Sequence, residues 1–461
     1  MVKPQGELKA LIDANDNELA EATRLGRIGD VRRLIFKGQT LLAGKVWTDE
    51  LDFGDSLAVR ADSVFVDPAK PWAVRLEQIY DPPVKLERTL TAHVSIRKPA
   101  AGRAGDAAPE VVKDLGTFDE VSRDLRESPF LMDLDVSSVA DGSYLLQVDV
   151  LDGGKSLGSP TLRFVALKGL TDSVSRIEAE AKTLPETIRA EVLYPVEHMH
   201  TINRALMDIG QFDAAKELAA AGQVLTAAKG GKDPFAGQTG DFKRHYNLKA
   251  AGEIMPYRIF VPPAYTASRA FPLVVALHGL GGTEDSMFGP AYKVSEQAAQ
   301  RGYIAVAPLG YRIDGGYGRG DSRRAQLSEK DVMEVLAIVR KQYNIDNRRI
   351  YLVGHSMGGG GAWELGSKYA DIWAAVAPIS GPANLPAVEK LRHMPVLAVH
   401  GDADTVVLVD ASRSMVAALK KVDAEVKYIE VPGGSHGSVS EPNMGAIFDF
   451  FDGHVKPAGK T

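Results

Sequence analysis

The chain is 461 residues long, with 45% hydrophobic and 25% charged residues, a soluble-globular composition with room for two or three domains. It contains no cysteine, which excludes disulfides, thiolate metal sites, iron–sulfur clusters and a cysteine nucleophile. The formal charge of -6, from 54 basic and 60 acidic residues, offers no basic footprint for nucleic acid or anionic lipid. No run approaches the roughly 18 apolar residues of a membrane span. The polar start Met1-Val2-Lys3-Pro4-Gln5 has no apolar leader core, so the expected location is periplasmic or extracellular if a leader has been removed, and cytoplasmic otherwise.

Along the chain, residues 1–45 read as a helical segment. Leu8, Leu11, Ile12, Leu19, Leu25, Ile28 and Val31 mark one face, with interruptions expected at Gly26 and Gly29. Residues 46–168 change to short alternating strands such as Leu57-Val59-Ala61 and Leu90-Ala92-Val94-Ile96, separated by turn residues. This predicts an accessory β-sandwich, and the strand opened by Tyr144 resembles the tyrosine-corner strand of immunoglobulin-like domains. Residues 169–240 read as a helical connector ending in the Gly-rich linker 230–237. From 241 to 461, apolar runs at 271–277, 303–307, 350–353, 374–379, 396–399 and 426–431 alternate with helical segments. Continuous apolar strands separated by helices predict an α/β domain, with a mostly parallel sheet covered on both faces. A helix from 328 to 343 is expected to open with Ser328-x-x-Asp331 as a capping pair.

Three strings carry an exposed-serine pattern. Phe53-Gly54-Asp55-Ser56-Leu57 has the GDSL form but lacks the downstream Asp-x-x-His that form requires. Gly433-Gly434-Ser435-His436-Gly437 and Gly354-His355-Ser356-Met357-Gly358 both match G-x-S-x-G. Only the second lies between a strand and a helix-compatible run, the setting of a nucleophile elbow, where small residues let the serine adopt a strained backbone. A serine needs a base, and the base a carboxylate that fixes its tautomer. The strand at 396–399 runs into Asp402-Ala403-Asp404, and the strand at 426–431 into His436. Serine, acid and histidine thus each follow a later strand, in chain order.

With His278-Gly279-Leu280-Gly281-Gly282 and His400-Gly401-Asp402-Ala403-Asp404, these motifs resemble the α/β-hydrolase superfamily. The likeness is greatest to lidless bacterial esterases of the prolyl-oligopeptidase-like, feruloyl-esterase and polyhydroxybutyrate-depolymerase-like group, some of which carry an N-terminal immunoglobulin-like domain. The resemblance spans about 215 residues and implies a serine ester hydrolase that needs no metal or cofactor. Within it Ser356 is the nucleophile, His436 the base and Asp404 the acid, with Asp402 the alternative acid. The backbone N–H groups of Leu280 and Met357 are the implied oxyanion donors. His278, His355 and His400 read as structural, and His198-Met199-His200 as packing or surface histidines. About a dozen residues separate the strands ending near 379 and starting near 395, too few for a cap, so an open site is expected. Tyr311, Tyr317 and Arg319, in the Gly-rich segment 310–320, are candidate substrate contacts at its rim. The implied substrates are small or polymer-linked esters. The alternatives are a prolyl-oligopeptidase-type peptidase, for which the N-terminal part is too short and irregular to form a propeller, and a polymer- or glycan-binding protein with a vestigial hydrolase domain.

Overall fold

The computed structural model describes residues 6–82, 89–99, 109–122 and 124–457; the segment 1–5 read for a leader lies outside them. The chain divides into two compact units, Met1–Ala179 with His198–Ala220, and Glu180–Glu197 with Ala221–Thr461.

In the first unit the helices Gly6–Arg24 and Ile28–Leu42 break at Gly26, which takes a left-handed φ of 67°, while Gly29 is accommodated inside the second helix. A short helix, Asp49–Ser56, precedes the strands. Leu57–Ala61, Trp72–Gln78 and Phe130–Leu134 form a three-stranded antiparallel sheet. A larger sheet runs Phe65–Val66, Thr161–Ala166, Gly142–Asp152, Leu90–Arg97 and Val111–Val121, with Lys155–Gly158 on the flank of Gly142–Asp152. Alternate residues of both sheets share one core: Val59, Val74, Leu76 and Met132 from one, Ala92, Val94, Leu146 and Val148 from the other. Trp72 and Phe164, one from each sheet, stand 4.6 Å apart between ring centroids. The Tyr144 hydroxyl donates to the Ala140 carbonyl at 3.1 Å.

The second unit holds an eight-stranded sheet: β1 (Gly240–Leu248), β2 (Glu253–Val261), β3 (Phe271–Leu277), β4 (Ile304–Pro308), β5 (Ile345–His355), β6 (Ala375–Ile379), β7 (Val396–Gly401) and β8 (Val426–Val431). Their spatial order is β1-β2-β4-β3-β5-β6-β7-β8. β1, β2 and β4 pair antiparallel, and every pair from β4 through β8 is parallel. All seven residues of β3 are buried, because Leu273, Val275 and Leu277 enter the core on one face and Val274 and Ala276 the core on the other. That two-sided burial is why these strands read as unbroken apolar runs. Helices α1 (Val294–Arg301) and α5 (Ser440–Asp452) cover one face; α2 (Arg323–Gln342), α3 (Met357–Lys368) and α4 (Asp410–Lys421) cover the other.

One expected element is corrected. α2 begins five residues earlier than 328, at Arg323, capped by Ser322, whose Oγ accepts from the Ala325 N–H at 3.1 Å. Ser328 and Asp331 are not a capping pair but fully buried residues inside the helix. The Ser328 Oγ accepts from Tyr317 N–H at 2.9 Å. Asp331 accepts from the Tyr246 hydroxyl at 2.6 Å and from Tyr311 N–H at 2.8 Å. No helix among the described residues is long and apolar enough to cross a membrane.

Candidate active site

Parallel strands deliver their C-terminal ends to one edge of the sheet, where open α/β sheets hold their ligands. Ser356 sits between β5 and α3 with φ 56° and ψ −115°, a backbone that side-chain-bearing residues rarely adopt. Its N–H donates to the Ile379 carbonyl at 2.8 Å, which ties the turn to the end of β6. The flanking glycines are required by contact. A Cβ on Gly354 would lie 2.1 Å from the Gly358 carbonyl oxygen, and one on Gly358 would lie 2.2 Å from that of Leu277.

The His436 Nε2 stands 2.8 Å from the Ser356 Oγ, and its Nδ1 stands 2.7 Å from the Asp404 Oδ2. In the neutral ring this chain runs from the serine hydroxyl, donating to Nε2, to Nδ1–H, donating to the carboxylate. Asp404 is 4% exposed, and its Oδ1 accepts from the N–H groups of Val406 and Val407 at 2.8 and 3.0 Å. Burial opposes its charge, but the hydrogen bond with His436 and those backbone donors outweigh it and hold the carboxyl below its ordinary range. The alternative acid, Asp402, is exposed and accepts instead from Gly433 N–H at 2.6 Å.

The loop after β3 passes beside the serine, since a Cβ on Gly279 would meet the Ser356 Cβ at 3.2 Å. Leu280 follows in that loop, and Met357 is the first residue of α3. The His278 ring braces the same loop, its two nitrogens each 2.7 Å from a carbonyl oxygen, of Gly279 and of Leu309. His400 is fully buried between Ser412 Oγ and the Val407 carbonyl, beneath Asp404. His355 is also buried. Its Nε2–H donates to the main-chain carbonyl of His436 at 2.8 Å, and its Nδ1 accepts from the Tyr292 hydroxyl at 2.9 Å. Burial pushes its pKa down to about 4, so the ring is neutral near pH 7.

The other serine and histidine motifs lie elsewhere. Ser56 is buried, donating to the Phe53 carbonyl at 2.6 Å, and Ser435 is an exposed loop residue. The His198 ring packs on Phe212, and His200 is exposed.

The 310–320 segment departs most from the sequence expectation of a solvent rim. Tyr317 is 0% exposed, with its hydroxyl donating to the His278 carbonyl at 3.4 Å, so its side chain is closed off from any substrate. Packing wins there: Gly361 lacks the Cβ that would strike the Tyr317 ring at 2.8 Å. Tyr311 donates to Glu253 at 3.1 Å and stacks under the Arg312 guanidinium at 4.1 Å. Arg319 remains, half-buried, against the first turn of α3. Sequence reasoning missed Tyr292, whose role depends on a contact with a residue 63 positions away. Between β6 and β7 there is one short 3₁₀ turn, Leu385–Leu391, and no inserted cap.

The Esterase family matches residues 249–389, which include Ser356, and the Prolyl oligopeptidase family matches residues 373–457, which include Asp404 and His436. The chain is similar to the bifunctional acetylxylan esterase/xylanase XynS20E of Neocallimastix patriciarum, 35% identical over 29% of this chain and 19% of that protein. It is similar to cutinase 2 of Thermobifida cellulosilytica, 28% identical over 47% of this chain and 71% of that one. A third relative is feruloyl esterase B of Piromyces equi, 27% identical over 35% of this chain and 31% of that one. The chain thus spans about a fifth to seven-tenths of the length of these relatives. Among solved structures, a thermostable esterase aligns with 87% of this chain and 100% of its own, at 18% identity and a TM-score of 0.41. Sheet order, elbow and family matches agree: residues of the second unit form an α/β-hydrolase fold.

Proposed function

We propose that this protein is a serine carboxylic-ester hydrolase with Ser356 as nucleophile, His436 as general base and Asp404 as the residue that orients His436. The observation that carries the reading is the pair of hydrogen bonds, 2.8 and 2.7 Å, linking the three side chains across loops that follow β5, β7 and β8. As the Ser356 Oγ attacks the ester carbonyl carbon, its proton passes to His436 Nε2, and the oxyanion that forms meets the N–H groups of Leu280 and Met357. Collapse breaks the bond to the alcohol oxygen, which leaves with the proton from His436. Water, deprotonated by the same nitrogen, then attacks the acyl-enzyme and regenerates Ser356. Asp404 stays ionised throughout, which suits its lowered pKa.

The substrates are esters reached through an open, uncapped site. The relatives' names point to acetyl, aryl and polymer-linked acyl groups as the classes to test. Residues 241–461 serve as the catalytic domain, and residues 46–168 as an accessory immunoglobulin-like sandwich, a reading supported by the Tyr144–Ala140 hydrogen bond within a two-sheet core. The peptidase reading is not favoured, because the named relatives above are esterases and cutinases.

The test is hydrolysis of p-nitrophenyl acetate and methyl ferulate by the full chain, with Ser356→Ala alongside. Removal of the nucleophile is expected to lower kcat by roughly 10⁴-fold or more, and a fluorophosphonate probe should label wild type at Ser356 alone. Ester hydrolysis retained in full by Ser356→Ala would refute the assignment.

A further inference from the structure

One turn of α3 away from Ser356 stands a cation that the catalytic scheme does not use. Arg319 is half-buried, yet among the described residues it has no ion pair. Its one hydrogen bond there is a long one, from Nη2 to the Ala383 carbonyl at 3.4 Å. Arg244 and Arg312, more deeply buried in the same unit, are each paired at 2.6 Å, with Glu191 and Glu253. Glu364, whose charge acts on Arg319, is engaged by Asn384 Nδ2 at 2.7 Å instead. Glu329, beside Gly318, is held by Lys368 at 2.7 Å. Among the described residues only one of its five N–H donors meets a protein acceptor, which leaves the fork open to a ligand.

The pose is nonetheless built. Gly318 and Gly320, on either side, both take a left-handed φ of 84°, and Tyr317 is locked in the core just before them. A Cβ on Gly360 would lie 2.4 Å from Arg319 Nη1 and 3.0 Å from Cζ, so the guanidinium occupies the space that this glycine leaves. Gly360 is one turn along α3 from Ser356, about 6 Å in axial rise, and Ala383 lies in the loop that follows β6. The planar fork is therefore held one turn of α3 from Ser356, between the loops that follow β4 and β6 at the sheet's C-terminal edge.

We propose that Arg319 is a specificity-determining residue that recognises a carboxylate carried by the ester substrate a few bonds from the scissile carbonyl. This rests on the ester-hydrolase reading and names the substrate class within it. A carboxylate matches the guanidinium fork with two parallel hydrogen bonds, which a neutral ester of the same length cannot supply.

The carboxylate could sit on the acyl or the alcohol half, so the experiment has two arms. In one, the full-length protein hydrolyses the p-nitrophenyl monoester of glutaric acid and p-nitrophenyl valerate. In the other, it hydrolyses the butyrate ester of 4-hydroxybenzoate and phenyl butyrate. The readout is the ratio of kcat/KM, charged over neutral, compared between wild type and Arg319→Gln so that intrinsic reactivity cancels. On one arm the ratio is expected to fall by about tenfold or more in Arg319→Gln and to be partly restored in Arg319→Lys; that arm identifies the half bearing the charge. Should Arg319→Gln not fold, as judged by its melting curve, the wild-type ratio itself decides, since a charge contact weakens as salt rises. Ratios that are salt-independent and unchanged by the substitution on both arms overturn the proposal. Failure of wild type to hydrolyse any of the four esters overturns the ester-hydrolase reading instead.

Discussion

The His355 ring hydrogen-bonds to neither Ser356 nor Asp404, yet it holds the main chain of His436, the proposed base. Its Nε2–H bond to the His436 carbonyl sets where the His436 ring begins, and Tyr292 fixes the tautomer that makes this donation possible. A buried ring with a pKa near 4 against about 6.5 when unfolded carries a pH signature. Between those values the unfolded chain binds a proton that the folded chain does not, so this stability is present above about pH 6.5 and is lost as pH falls toward 4. The gap corresponds to about 3 kcal/mol. Urea unfolding of wild type between pH 7 and pH 4 should therefore show a loss that His355→Gln lacks by about that amount. The opposing contribution of Asp331, whose carboxyl burial pushes up to about 6, is common to both proteins and cancels in the difference. Equal pH slopes for the two would rule out a buried neutral His355. The same comparison should separate kcat from KM, because a displaced His436 slows proton transfer while leaving substrate binding largely in place.

The strand–turn–helix element around Ser356 is held by main-chain contacts, which makes its glycines unequal. Gly358→Ala drives a Cβ into the Leu277 carbonyl, with both atoms fixed in a packed strand and helix, so a loss of about 3 kcal/mol or more is expected. Gly360→Ala, two residues on, meets the movable end of Arg319 and gains helix propensity of up to about 1 kcal/mol. Melting temperatures should thus drop steeply for the first variant and stay near wild type for the second, whose charged-to-neutral ester ratio should fall. Equal losses would mean that the Arg319 pose is not as described. The elbow was legible in sequence because its demands are local: strand, small residue, serine, small residue, helix. The start of α2 was not. Ser322 and Ser328 are equally good caps on composition, and the choice is made by Tyr246 and Tyr311, which bury Asp331 from 85 and 20 residues away. Tyr317 was misjudged for a related reason. Glycine-rich sequence suggests a free loop, whereas here the glycines supply left-handed turns that fold an aromatic anchor inward. The antiparallel strands β1 and β2 were equally hidden, since Lys243, Arg244 and His245 break the apolar pattern in β1.

Across the whole molecule, the α/β layering and the sandwich core follow from hydrophobic period, but the boundary between units depends on charge pairs that sequence does not reveal. A cut at residue 241, after the Gly-rich linker, separates β1 from Glu191, which lies on the helix Glu186–Asn203 and is 4% exposed. Glu191 accepts from Arg244 Nε at 2.6 Å, from His245 N–H at 3.0 Å and from His245 Nδ1 at 2.7 Å, while Tyr194 stacks on the His245 ring at 3.9 Å. Burial alone would weaken the charge on Arg244, and the adjacent Glu191 more than restores it. Glu197 on the same helix accepts from Ile254 N–H at 2.5 Å. Removing one partner of such a buried pair leaves an uncompensated charge, at a cost of about 3–5 kcal/mol. Glu191→Ala in the full chain should lower the unfolding free energy by that amount, and Glu191→Gln by less, since it keeps an acceptor for the His245 N–H. A fragment of residues 241–461 should melt well below one of residues 180–461, even though both contain Ser356, Asp404 and His436. If Glu191→Ala melts with wild type and the two fragments are equally stable, the helix is an accessory to the second unit. Unequal stabilities would make it part of the scaffold that keeps β1 in register and, through β2 and β4, the sheet edge on which Ser356, Asp404 and His436 stand.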